Sequence, residues 1–251
     1  MKKESFVNII NTKIHNLSFQ ETVEYIQQTI IQHKQIHHTV VNAGKIAKMH
    51  NDAELSKSVN SADLINADGQ AVVWASRFLN KPIKERVAGV DLMEACVEMA
   101  AQHKYTIYLF GATQEVVETL VEKYKSQFGN TIIAGYRNGY FNDADENQIV
   151  QDIKSAKPQM LFVAMPSPKK EIFLYKHRYA LQDVNFIMGV GGSFDVFAGK
   201  TKRAPKWMQN SGLEWFYRFL QEPKRMWKRY LIGNTKFIYL VLKEKLKPTH
   251  K

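Results

Sequence analysis

The feature that most constrains the fold is an alternation, sustained over the first 195 residues, of short apolar runs with longer amphipathic stretches. Phe6–Ile10, Thr39–Val41, Asp63–Asn66, Thr106–Phe110, Thr131–Ala134, Gln159–Val163 and Asn185–Met188 read as strands. Between them, helical patterns run from Phe19 to His33, Gln70 to Leu79, Leu92 to Ala101, Thr113 to Phe128 and Pro168 to Arg178. Ser18 with Glu21 three residues on is a helix start signal, Asp91 is a candidate cap for the helix carrying Cys96, and Gly129 is a stop signal. Strands separated by helices predict an α/β fold, a mostly parallel Rossmann-like sheet with helices on both faces. Such sheets bind ligands at the carboxyl ends of their strands, and Asn42, Asp68, Gly111, Pro166 and Gly189–Gly192 fall at those ends.

The charge changes character after residue 195. Residues 1–195 carry 21 basic and 21 acidic side chains, whereas residues 196–251 carry 14 basic and 3 acidic ones, so the whole net charge of +11 lies in the last stretch. Trp207, Trp215 and Trp227, three of the four tryptophans, lie there too. This divides the chain into an α/β body, 1–195, and a basic, aromatic helical appendage, 196–251. Helical patterns cover Leu213–Leu220 and, after Pro223, a stretch toward Leu242, with Gly233 weakening its continuity. Lys224, Arg225, Trp227, Lys228 and Arg229 fit an interfacial helix meeting anionic lipid; single-stranded nucleic acid, a partner helix or simple packing on the body are the other readings. No run of 18 apolar residues occurs and no signal-peptide core follows Met1, so any membrane contact is expected to be peripheral. The single cysteine, Cys96, excludes an internal disulfide and reads as a buried thiol.

Two motifs carry chemistry. Ala67-Asp68-Gly69 places a carboxylate just past a strand, where it could take a proton from a sugar hydroxyl or cap the following helix. Gly189-Val190-Gly191-Gly192-Ser193-Phe194-Asp195 is a glycine turn that lets backbone approach an anionic or sugar ligand, or is a tight turn only; Asp195 could meet a ribose hydroxyl or cap a turn. It matches neither the Walker sequence nor GxGxxG. There is no HExxH and no DxD, and Asp143 and Asp145 suit a helix start, so no metal ligand set is expected. A diphosphate leaving group would then rely on cations drawn from Arg86, Lys169, Arg218 and Arg225.

In their order along the chain these motifs resemble the WecG/TagA/CpsF glycosyltransferases. The resemblance is carried by Asn42, Ala67-Asp68-Gly69, Glu85-Arg86-Val87-Ala88-Gly89 with Asp91, Phe110-Gly111-Ala112 and Pro168-Lys169-Lys170-Glu171, then by Gly189 through Asp195 and Gly199 to Arg203-Ala204-Pro205, and by Glu214-Trp215, Arg218 and Glu222-Pro223. It implies inverting transfer of N-acetylmannosamine from UDP-N-acetylmannosamine to undecaprenyl-diphosphate-linked N-acetylglucosamine, with a β1→4 link, in wall teichoic acid linkage-unit synthesis. It implies no cofactor or metal. Asp68 is the implied general base, and Arg218 the implied partner of the departing diphosphate. Thr39, Asn42, Arg86, Gly111, Lys169, Lys170, Glu171, Gly191 and Asp195 are the implied substrate-binding residues. The chain departs from the family pattern at two places: Val40 stands where a threonine is usual, with Thr39 one position earlier, and Lys170 replaces a glutamine. The expected setting is cytoplasmic, peripheral to the inner face of the membrane, with an anionic membrane surface as partner, no nucleic acid, and homo-oligomerisation left open.

Overall fold

The computed structural model describes residues 6–246. Six parallel strands form the central sheet: β3 (Ile36–Val41), β4 (Leu64–Ala67), β5 (Ile107–Gly111), β6 (Ile133–Arg137), β7 (Met160–Ala164) and β8 (Phe186–Gly189), in the order β4-β3-β8-β7-β5-β6. The predicted α/β architecture is therefore present, a parallel sheet covered by helices. The first expected strand belongs elsewhere. β1 (Phe6–Ile9) pairs antiparallel with β2 (Thr12–His15), a strand that the sequence pattern did not reveal, in a separate hairpin. Ile10 and Asn11, both at positive φ (50° and 58°), make its turn without the glycine that usually marks one.

The helices are α1 (Phe19–Ile31), α2 (Ala43–Met49), α3 (Ala53–Asn60), α4 (Gln70–Phe78), α5 (Gly89–His103), α6 (Gln114–Phe128), α7 (Glu146–Ala156), α8 (Lys169–Lys176), α9 (Ser193–Phe197), α10 (Lys206–Asn210), α11 (Glu214–Gln221) and α12 (Pro223–Lys245). Ser18 and Glu21 form the expected capping box on α1, and Thr113 caps α6. The region between β3 and β4 becomes two helices because Asn42 and Asp52 each accept a backbone N–H of the turn that follows. The strand expected at Thr131–Ala134 starts later, at Ile133, after a single 3-10 turn at Asn130–Ile132.

Alternation along the strands divides the core between two faces. Leu64, Leu109, Phe162, Phe186 and Met188 pack under α1, α5 and α6. On the opposite face Tyr108, Phe110, Leu161, Val163 and Ile187 pack under α7 and α8, while Val41, Ile65 and Ala67 meet α2, α3, α4 and the hairpin. Cys96 is fully buried, and that burial pushes its thiol pKa up.

The division drawn after residue 195 falls inside α9, and the C-terminal segment packs closely on the body. Phe237 and Val241 of α12 are buried in the same cluster as Ile9, Ile46 and Val73. α12 runs unbroken through Gly233, where a Cβ would lie 3.4 Å from Cα of Gly44 in α2. Glycine there lets two helix backbones approach, so it interrupts nothing. Glu244 fixes the far end, accepting from the backbone N–H of Ile10 at 2.6 Å and from Nζ of Lys81 at 2.6 Å.

Beneath the carboxyl ends of β3 and β8 lies a buried ion cluster. Glu171 Oε1 is 2.8 Å from Lys45 Nζ and 2.7 Å from Lys170 Nζ, and the three side chains are 3%, 9% and 7% exposed. Burial opposes ionisation of Glu171, but the two lysines overcome it and hold the carboxyl at about 2 against an ordinary 4.5. Folding lowers this pKa, so its stabilisation is complete above about 4.5 and is lost as pH falls toward about 2. Glu171→Gln removes the carboxylate that the buried Lys45 and Lys170 ammonium groups share and should cost about 3 kcal/mol or more at neutral pH. Urea unfolding from neutral to acid pH checks this: the variant should be less stable at neutrality, and its loss of stability in acid should be shallower than that of the parent.

Candidate active site

A cleft of about 570 Å³ opens beyond the carboxyl ends of β3 and β4. Its polar end is lined by Asn42, Asp68, Arg86, Glu214, Trp215 and Arg218. The structure thus brings Asn42, Asp68, Arg86 and Arg218 together from four places in the chain. The other predicted site residues lie off this cleft.

Asp68 follows β4 directly, its backbone N–H bonded to the carbonyl of Val41 at 2.9 Å. It does not cap α4, whose N-cap is Gly69 with no side-chain bond. Its Oδ1 instead accepts the N–H of Gly89, at 3.3 Å, in the first turn of α5. A carboxylate at a helix N-terminus is electrostatically favoured. Desolvation nevertheless raises the Asp68 pKa; Arg86 and Arg218 pull it down, Glu214 pushes it up, and the Gly89 bond lowers it. The net shift is upward, which makes Asp68 a better proton acceptor once ionised.

Asn42 closes β3 and caps α2, its Oδ1 accepting from the N–H of Lys45 at 3.0 Å. Because the cap fixes its side chain beside Gly69, the amide stays at the cleft wall. Arg86 reaches Glu214 at 3.1 Å, Arg203 Nε lies 3.5 Å from the same carboxylate, and Arg218, one turn along α11, lies 3.9 Å away. Arg203 also forms a bidentate pair with Asp91, with Nη2 to Oδ2 at 2.8 Å. Asp91 is therefore not the cap of α5, which begins at Gly89. Burial opposes its ionisation, but the Arg203 fork holds its pKa down.

Thr39 is buried in the middle of β3, and its hydroxyl has no hydrogen-bond partner among the described residues. Lys170 and Glu171 belong to the buried cluster with Lys45. Lys169 turns outward, its ammonium 3.7 Å from the centre of the Phe141 ring. Gly111 ends β5, where a Cβ would overlap the Ala164 backbone, so strand packing already requires glycine. Gly191, at φ +54°, and Asp195 in α9 lie farther along the same sheet edge. In α12, Lys224 is exposed and Trp227 is 51% exposed. The side chains of Arg225, Lys228 and Arg229 lie outside the described residues. Among the described residues, no group of three or more His, Cys, Asp or Glu side chains is placed to hold a metal ion.

The parallel sheet thus brings a carboxylate and two arginines together at its carboxyl edge. Residues 7–251 match the Glycosyl transferase WecG/TagA/CpsF family, and the chain belongs to it. Among its relatives is the N-acetylglucosaminyldiphosphoundecaprenol N-acetyl-beta-D-mannosaminyltransferase of Bacillus subtilis (strain 168), 39% identical over 193 residues, 77% of this chain and 73% of the relative. Proteins of the same name from Bacillus spizizenii and Staphylococcus aureus (strain MW2) are each 38% identical, covering 74% and 75% of this chain and 70% and 72% of theirs.

Glu214 is the site residue whose role sequence reasoning missed; it entered only as part of a Glu-Trp motif. Two signals were available: it stands four residues before Arg218 on a helix, and it is one of only 3 acids in a strongly basic segment. Glu214→Gln removes a negative charge that raises the Asp68 pKa and frees the arginines that lower it. Both effects act in one direction, so the Asp68 titration, followed by carboxyl carbon NMR, should move to lower pH.

Proposed function

We propose that this glycosyltransferase moves N-acetylmannosamine from UDP-N-acetylmannosamine to undecaprenyl-diphosphate-linked N-acetylglucosamine with inversion, making a β1→4 link in teichoic acid linkage-unit synthesis. The observation that carries the reaction type is the meeting of Asp68 with Arg86 and Arg218 in one cleft. The donor and acceptor identities are supported by the relatives' names.

In this reaction the ionised Asp68 carboxylate takes the proton of the acceptor hydroxyl as its oxygen attacks the anomeric carbon of the donor. The new glycosidic bond forms as the bond from the anomeric carbon to the diphosphate breaks, and UDP departs with that electron pair. Arg86 and Arg218 face the site where the charge gathers and stabilise it. Asn42, held by its capping bond, offers a fixed amide to a sugar or nucleotide group.

The acceptor's lipid suggests a place for the enzyme. No described helix is long and apolar enough to cross a membrane. The exposed Lys224, Trp227, Leu231 and Ile232 near the start of α12 fit an interfacial contact with anionic lipid at the inner face of the membrane, where each cation contributes about 1 kcal/mol.

Purified protein given a panel of UDP-sugars and the lipid-linked acceptor should form disaccharide only with UDP-N-acetylmannosamine. UDP release without acceptor at the same rate would point to hydrolysis instead. Asp68→Asn should lower kcat by about a thousandfold or more while UDP still binds. In the parent enzyme, kcat/KM should rise with pH through a limb above the ordinary aspartate value of about 4, because the base must be ionised and its pKa is raised. Asp68→Asn at near-normal rate would refute the assignment.

A further inference from the structure

The cleft does not end at its charged residues. It continues as an apolar arm between α4 and α12, walled by Trp74 and Phe78 on one side and by Ile238 and Leu242 on the other, with Ala71 and Ala75 between. Among the described residues, the charged ones of the lining, Asp68, Arg86, Glu214 and Arg218, sit at the polar end. The four large side chains are 54%, 49%, 58% and 48% exposed, so the arm is an open hydrophobic trough. Directly beneath, Phe237 and Val241 are buried and hold α12 in place, so the trough has a fixed wall.

We infer that this arm seats the first isoprene units of the acceptor's prenyl chain, drawing them out of the bilayer while the diphosphate and sugar occupy the polar end. The inference rests on the acceptor proposed above. Continuity argues for this occupant: one cavity with a charged head and an uncharged tail matches an amphiphile whose diphosphate separates a sugar from a hydrocarbon. A peptide fits poorly, since its backbone N–H and C=O groups would need partners that Trp74, Phe78, Ile238 and Leu242 cannot supply along the trough. A chain of branched hydrocarbon needs only apolar contact, and the small Ala71 and Ala75 leave it room. At the outer end, Lys245 donates to the carbonyl of Phe78 at 2.8 Å and lies 5.4 Å from the centre of its ring. A cation at that mouth suits the point where the chain passes into an anionic headgroup layer.

The test compares two water-soluble acceptors in detergent-free solution without vesicles: N-acetylglucosamine diphosphate esterified with a short prenyl chain, and the same head bearing only a methyl group. The parent enzyme should show a KM lower by about tenfold or more for the prenyl acceptor. Ile238→Asp puts a charge into the trough at an exposed position and should collapse the ratio of the two KM values toward unity. Ile238→Leu, which keeps the apolar wall, should retain the ratio. Equal KM values in the parent, or an unchanged ratio in Ile238→Asp, would overturn the inference while leaving the proposed reaction standing. Failure of the parent to transfer to either acceptor, or to the full-length lipid, would overturn both.

Discussion

The Glu214 carboxylate is the point on which the polar end of the cleft depends. Three arginines reach it from separate segments: Arg86 from the loop between α4 and α5, Arg203 from the loop after α9, and Arg218 from its own helix. Without a shared anion, the cations so gathered would repel one another and turn toward solvent. Arg203 is further held by Asp91 in the first turn of α5, the same helix whose first N–H meets Asp68. A chain of charge-assisted contacts therefore runs from the C-terminal segment through the arginines to the helix whose first N–H meets Asp68. Partial burial strengthens it: Glu214 is 13% exposed, so its pairs are less screened than those of an open surface.

That arrangement needs the C-terminal segment to lie in one position, and its seat is built from ordinary packing. α12 approaches α2 because Gly44 and Gly233 face each other, and Phe237, Leu240 and Val241 then bury against the body. Glu244 fastens the far end to the hairpin and to Lys81. Of the 3 acids in a segment with 14 basic residues, two bind it to the rest of the fold. One helix pair thus carries several features, with α11 supplying Arg218 and α12 supplying both the exposed start and the apolar wall of the cleft.

Much of this was legible in the sequence because the parallel sheet is written in period and spacing. Buried strands appear as apolar runs, and the turn residues after them mark the ligand edge, which is how Asn42 and Asp68 could be singled out. The failures have equally local causes. The hairpin at Phe6–His15 turns on Ile10 and Asn11, both at positive φ with no glycine, so no turn signal appeared. Gly233 weakened the helical pattern because helix propensity sees its missing side chain and not the backbone of Gly44 opposite it. Lys170 and Glu171 follow Pro168 at the start of α8, and their pairing with Lys45 beneath the sheet edge is a contact that only the three-dimensional arrangement reveals. Glu214 was hidden for the same reason, since its partners lie 128 and 11 residues away as well as one turn along its helix.

The electrostatics of the cleft also bear on the order of events in the proposed reaction. Asp68 is desolvated, which raises its proton affinity, while Arg86 and Arg218 lower it. A bound diphosphate would bring negative charge to those same arginines and offset their pull on Asp68. The base would then hold a proton more tightly while donor is present, which is when a hydroxyl proton must be accepted. Departure of UDP would restore the arginine field, lower the Asp68 pKa again and release the proton to water. Glu214 keeps this exchange within bounds, because it already balances part of the cationic charge before donor arrives. In the proposed reaction one pair of arginines would thereby serve both the leaving group and the base, and the cleft would need no separate device to reset Asp68 between turnovers.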